Sequence, residues 1–251
     1  MAVKSRRLRR KVAQACRILA ETGVAREITG HVSARIPGTA EMLIRCRGDD
    51  EYGLAHTSER QVRQLDFDGG GDGLGPHHVP PLELPIHGEI YKARPDVGAV
   101  VHAHPTAVLL CGLAGVELRP VFGAYDAYAL EVARAGIPIF PSSVLIDTKE
   151  VAAGLVAALG PGDACIMRGH GVVVVGESVE QATLRALKIE TLASINWQLA
   201  ISGRDVPTLP DDEIASFGRR ARGGVIPGGE RWIWRHYVRA IGASDPQFPV
   251  R

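Results

Sequence analysis

The run Ala99-Val100-Val101 is apolar on both faces of an extended strand, and a strand of that kind has to lie inside a sheet with other layers packed over it. Helical patterns flank it. One runs from Glu83 to Arg94 and stops at Pro95; a short apolar one covers 106–114. The same alternation extends along the chain. Leu8, Val12, Ala15, Cys16 and Leu19 recur at helical spacing, with Gly23 placed as a C-cap glycine. Strand-like stretches stand at 30–36, 42–45, 98–104, 137–140, 143–146, 164–168 and 172–175. Asp147 with Glu150, and Ser178 with Gln181, are spaced as capping boxes opening helices to about 159 and 203. This predicts an α/β fold, a single domain with a central β-sheet flanked by helices. Residues 1–208 would form that domain and 209–251 a C-terminal helical tail serving as lid or interface. The glycine-rich segment 68–80 reads as a mobile loop without periodicity.

Composition excludes several classes of partner. The 251 residues carry 29 basic and 28 acidic groups, a formal net charge of +1, so no global field draws in nucleic acid or an acidic membrane. The four cysteines form no CxxC pair and read as small buried hydrophobes of a reducing, cytoplasmic compartment. The basic start MAVKSRRLRRKV leads into no unbroken apolar run, because Gln14, Arg17 and Glu21 interrupt it; it reads as the polar end of a first helix. Nowhere does the chain reach the roughly 20 apolar residues of a membrane span. A small-molecule substrate is the expected partner.

The chemistry-bearing residues gather at the end of the buried strand. In His102-Ala103-His104 the two imidazoles project on one face, about 6–7 Å apart, as residues two apart on a strand do. Taken alone, such a pair is more often structural than a ligand pair. Its position at the end of a buried strand, where active sites commonly lie, raises its weight. His170 stands between glycines in Arg168-Gly169-His170-Gly171, either in a plain tight turn or where the backbone passes close to a ligand. Together the three suit a catalytic zinc, manganese or iron site with open positions. Glu83 opens a helix with His87 one turn on; dipole capping and a site role weigh evenly for it.

Four stretches then resemble the class II aldolase/adducin family: GHVSARIPG (30–38), HTS (56–58), ELPIHGEIYKARPDVGAVVHAHP (83–105) and RGHGVVVVGESVEQA (168–182). The resemblance spans nearly all of residues 8–203. It implies that His102, His104 and His170 bind one divalent metal ion per subunit, Zn2+, Mn2+ or Fe2+. It also implies that Glu83 is the general acid/base, and that the protein is a homo-oligomer, a tetramer with sites at subunit interfaces. By family position His31, Ser33, Arg35, Thr57, Ser58 and Tyr125 are substrate-binding candidates, although several could equally be turn residues.

Two departures bear on substrate. Sugar-phosphate members carry a Gly-Asn pair in the first loop and hydroxyl residues before the catalytic glutamate; here stand Gly30-His31 and Pro81-Leu82, which lack most donors for a phosphate dianion. GAYDAYAL (123–130), GIPIFP (136–141) and the RGHG form resemble a subgroup acting on aromatic acids, including decarboxylases of hydroxypyridine dicarboxylate and dihydroxyphthalate. The leading expectation is a metal-dependent carbon–carbon lyase decarboxylating an ortho-hydroxy aromatic dicarboxylate. Alternatives are an aldolase on a small hydroxy-carbonyl or sugar phosphate, a non-haem iron oxygenase on a hydroxyaromatic acid and, last because the three histidines are present, an adducin-like binding module. Six arginines between 219 and 239, with Trp232, Trp234 and Tyr237, would suit either a pocket for aromatic di-acids or a solvated basic helix.

Overall fold

In a computed structural model, which describes residues 2–221 and 228–243, seven strands form one sheet in the order β4-β2-β1-β6-β9-β8-β7. The strands are β1 (His31–Arg35), β2 (Glu41–Arg45), β4 (Val62–Asp66), β6 (Ala99–Ala103), β7 (Ile139–Phe140), β8 (Ala164–Met167) and β9 (Gly171–Gly176). All neighbours are antiparallel except the edge pair β7 and β8. Two further strands, β3 (Arg47–Gly48) and β5 (His78–Val79), pair beside it. The helices are α1 (Ala2–Glu21), α2 (Leu84–Ala93), α3 (Thr106–Ala114), α4 (Ala127–Ala135), α5 (Lys149–Leu159), α6 (Val179–Ile201), α7 (Asp211–Ala221) and α8 (Gly229–Ala240). None of the described helices is long and apolar enough to cross a membrane.

Strand alternation divides the core into two layers. Val32, Ala34, Val101, Ala103, Val172 and Val174 face α1, α3, α6 and α8, where Val12, Cys16, Leu187 and Trp234 meet them. Met42, Ile44, Val100, Val173 and Val175 face the other way, onto Ile86 and Ile90 of α2 and Leu155 of α5. The central strands are therefore apolar on both faces, as the run at Ala99 requires. All four cysteines are buried free thiols.

Buried polar groups tie the loops to this frame. Helix α3 follows Pro105, which offers no side-chain cap; Glu190 of α6 supplies one, accepting from Ala107 N at 3.0 Å and Val108 N at 3.2 Å. Asn196 likewise holds the backbone of Arg119, accepting from its N–H and donating to its carbonyl.

Several sequence expectations need correction. Residues 143–146 form no strand: the chain leaves the sheet after Phe140, Val144 and Leu145 are exposed, and Ile146 gives its N–H to Glu83. The cap of α5 is Thr148 rather than Asp147, its hydroxyl accepting from Val151 N at 3.3 Å. Strand β4 and helix α4, the latter capped by Asp126, were not expected; Arg63 and Gln64 give β4 too polar a pattern to read as a strand. The glycine-rich segment is not without regular structure, since it holds β5 and Arg63 donates to Gly73 O. In the tail, Trp234 is buried, Tyr237 packs partly buried against the same cluster, and Trp232 is exposed. Helix α8 lies in the layer with α1 and α6. Arg222 and the side chains of Arg219 and Arg220 lie outside the described residues.

Gly88, on the buried side of α2, packs so closely on the Phe67 carbonyl that a Cβ there would sit 1.9 Å from the oxygen. A Gly88→Ala substitution should cost about 1–3 kcal/mol or more and displace the helix that carries Glu83. Thermal denaturation with parallel activity should show both losses; an unchanged Tm would mean that α2 is not held at this contact.

Candidate metal centre

His102 is the last inward-facing residue of β6 on the α2 layer, directly opposite His31 of β1 and Val173 of β9. Its Nδ1 donates to Val172 O at 3.1 Å, which leaves its Nε2 turned toward the strand end. His104 follows one pleat on, with Nε2 2.9 Å from His102 Nε2. His170 arrives from the turn between β8 and β9. Gly169 there takes φ +70°, which favours glycine, and a Cβ on Gly171 would lie 2.4 Å from Ala103 O and 2.7 Å from the His104 ring. The flanking glycines of the RGHG motif thus let the turn close against the paired histidines.

Glu83 completes the cluster. It is the N-cap residue of α2 but its side chain makes no cap hydrogen bond. The carboxylate turns inward instead, with Oε2 3.1 Å from His102 Nε2 and Oε1 3.3 Å from His170 Nε2, and Oε1 accepts from Ile146 N at 3.1 Å. One ligand atom from each of Glu83, His102, His104 and His170 lies within 4.8 Å of the others. The donor set fits a divalent ion on its own chemistry. With His102 Nδ1 donating to Val172, its Nε2 faces the Glu83 carboxylate at 3.1 Å, a spacing at which a cation between them would be held from both sides. Three nitrogen donors and one carboxylate suit several first-row ions.

Electrostatics favour the ligand form of these groups. Burial, with the neighbouring His102 and His170, takes His104 down to about 3, which keeps it neutral. Burial alone would raise the Glu83 carboxyl, but the His102, His170 and His31 imidazoles beside it hold it well below the usual carboxylate range.

The other sequence candidates separate. His31 joins the cluster, its Nε2 3.8 Å from Glu83 Oε2. Ser33 is buried behind it, bonded to His87 and Tyr91. Arg35 spends its guanidinium on the carbonyls of Tyr91, Arg94 and Val97 and lies against the Phe67 and Tyr91 rings, tying down the end of α2. Thr57 and Ser58 line a recess beside Arg10, Gln14 and Arg17 of α1. Tyr125 is 75% exposed, with its ring against Phe122. Sequence reasoning did not single out Tyr91 or the Ile146 N–H. Tyr91, at i+4 from His87 on α2, had a detectable signal; the Ile146 amide had none.

Comparison with known proteins shows the family. The model of the class II aldolase and adducin N-terminal domain matches residues 10–197, and the chain belongs to that family. It is 39% identical to the 3,4-dihydroxyphthalate decarboxylase of Arthrobacter keyseri over 94% of each chain. It is also 39% identical to that of Terrabacter sp. (strain DBF63), over 93% of this chain and 97% of the relative. Among solved structures, an aldolase II superfamily protein from Pseudomonas syringae superposes with a TM-score of 0.77 at 25% identity, covering 93% of this chain and 91% of that one.

Two outcomes follow from the geometry. His104→Ala should lower affinity for a divalent ion by more than the roughly 10–100-fold that loss of an outer-shell partner costs; metal content after dialysis reads this, and full retention would remove His104 from the ligand set. In chelator-treated protein the unfolded chain protonates His31 below about 6.5, whereas burial holds the folded residue down to about 4. The ionised Glu83 acts with the same sign. The folded state therefore binds fewer protons, and stability should fall as pH drops from about 6.5 toward 4. A Tm that rose on acidification would contradict the burial of these groups.

Proposed function

We propose that the protein is a divalent-metal-dependent lyase that decarboxylates an ortho-hydroxy aromatic dicarboxylate of the dihydroxyphthalate type. The observation that carries the reading is the ionised Glu83 set among three imidazoles, in a chain similar along nearly its whole length to dihydroxyphthalate decarboxylases. His102, His104 and His170 would hold the ion through Nε2. When bound, the ion supplies Lewis acidity that favours the ionised phenol and steadies negative charge on its oxygen.

The chain's own residues handle the proton. Glu83, ionised at rest, accepts the phenolic proton and returns it to the ring carbon that bears the departing carboxylate. The ring becomes a keto tautomer at that carbon. The bond to the carboxylate then breaks, its electron pair restores the aromatic ring, and CO2 leaves without needing a base. Solvent returns the phenolic proton after release, so one proton is consumed for each CO2. On 3,4-dihydroxyphthalate the carboxylate beside a hydroxyl is lost and 3,4-dihydroxybenzoate remains. The Ile146 N–H on Oε1 holds the carboxylate plane while the proton moves.

We read the assembly as a homo-oligomer, a tetramer. Leu82, Leu113, Val144 and Leu145 are large, apolar and exposed, and all lie on segments adjoining the cluster; Leu113 would be 3.4 Å from a Cβ on Gly169. Light scattering at micromolar concentration tests this, and a fully active monomer would refute it.

The reaction is tested by following CO2 release from aromatic di-acids with an ortho hydroxyl, with sugar phosphates as the competing substrates. Turnover of the phosphates alone would sink the decarboxylase reading. Glu83→Gln should leave the metal on the three histidines, at lowered affinity, while at saturating metal kcat falls by about 10²–10⁴-fold, and near-normal turnover would assign the proton to another group.

A further inference from the structure

Behind the cluster the same face of the sheet buries a second set of polar groups. Tyr91 Oη lies 2.8 Å from Ser33 Oγ, and Ser33 Oγ lies 2.6 Å from His87 Nδ1. His87 Nε2 is 2.6 Å from His31 Nδ1, and His31 Nε2 is 3.8 Å from Glu83 Oε2. Ser33 and His87 are fully buried, Tyr91 is 1% exposed and His31 5%, so bulk water completes none of these links. The groups stand together because β1 turns His31, Ser33 and Arg35 to one face, and α2 crosses that face with Glu83, His87 and Tyr91 at successive i,i+4 positions.

Counting hydrogens leaves one favourable arrangement. A phenol, a hydroxyl and two neutral imidazoles bring one donor hydrogen each, and the carboxylate at the head only accepts. Run toward Glu83, three hydrogens serve three acceptors, Tyr91 donating to Ser33, Ser33 to His87 Nδ1 and His87 Nε2–H to His31 Nδ1, and the fourth, on His31 Nε2, faces the carboxylate at 3.8 Å. Run the other way, the chain turns a His31 lone pair against the carboxylate and leaves the Tyr91 proton seeking an acceptor beyond it. Burial of Ser33, His87, Tyr91 and His31 disfavours a charge on any member.

We propose that Tyr91, Ser33 and His87 form a one-way hydrogen-bond chain that holds His31 in its Nε2–H tautomer, making His31 a neutral donor aimed at Glu83 and a positioning residue for that carboxylate. The Ile146 N–H on Oε1 and the His31 N–H facing Oε2 then restrain the two ends of the carboxylate. The functional part of this inference rests on the reading of Glu83 as proton carrier; the tautomer itself does not.

The test is a long-range proton–nitrogen correlation spectrum of zinc-loaded protein labelled with 15N at its nine histidines, with His31 and His87 assigned from His31→Asn and His87→Asn. At neutral pH both residues should show a protonated Nε2 and a bare Nδ1. A His31 that carries its proton on Nδ1, or on both nitrogens, overturns the proposal, and this readout needs no variant to be active. Ser33→Ala removes the donor to His87, so His31 should become a mixture of tautomers. In that variant kcat should fall about tenfold, less than for loss of the proton carrier itself, with KM little changed. Ser33→Thr, which keeps the hydroxyl, should restore both. An unchanged His31 tautomer in Ser33→Ala would show that the chain does not direct it. Failure of the wild type to release CO2 from any aromatic di-acid would strike the decarboxylase reading alone, and the His31 tautomer in the spectrum would still decide whether the hydrogen-bond chain runs toward Glu83.

Discussion

The antiparallel register of β6 against β1 on one side and β9 on the other determines where every ionisable group of the site lies. His102 stands across from His31 and from Val173, which puts two imidazoles and one apolar contact on the α2 face of three adjacent strands. A slip of one residue in either pairing would turn the set to the opposite layer, among Val32, Val101 and Val172. Neither layer could absorb such a slip. Valines moved to the cluster would supply no ligand, and imidazoles moved under α1 and α6 would be buried without partners. Packing and chemistry therefore select the same register.

Around that register the backbone is brought unusually close, so that groups from separate segments share a few ångströms. Gly171 lets the β8–β9 turn rest against Ala103 O and the His104 ring, and Gly88 lets α2 rest on the Phe67 carbonyl. Larger residues at either place would push His170 or Glu83 outward by the width of a methyl group. Glu190, reaching from α6 to cap α3, fixes the chain where it leaves His104. These contacts make the centre a property of the packed layers rather than of one loop.

The site joins an ionised carboxylate to His31 and His104, both kept neutral by burial, beside His102 and His170, an arrangement matched to a cation. Phosphate recognition is poorly served beside it. His31, at the position where sugar-phosphate relatives carry an asparagine, is committed to His87 and faces Glu83, while Leu82 presents an exposed apolar side chain ahead of the helix. Arg35 is engaged by three backbone carbonyls. The nearby groups thus offer few free donors for a phosphate dianion.

Much of this was legible in the chain itself. The alternation of helix and strand, the two-sided burial at Ala99–Val101, the HxH pair and the RGHG turn are local patterns with periods of two or 3.6 residues, and local patterns survive in one dimension. So did the cap at Ser178, which needs only its own Gln181 N–H. What the tertiary structure alone decided depends on residues far apart in sequence. That Glu83 faces the imidazoles instead of capping its helix follows from an Ile146 amide 63 positions away, on a segment that reads as a strand and is none. The link from Ser33 to His87 spans 54 positions, and Arg35 is drawn off to the far end of α2. Residue types and spacing can nominate a ligand, but the direction in which a side chain turns depends on which distant partner satisfies its polar atoms, and only the packed fold supplies that partner.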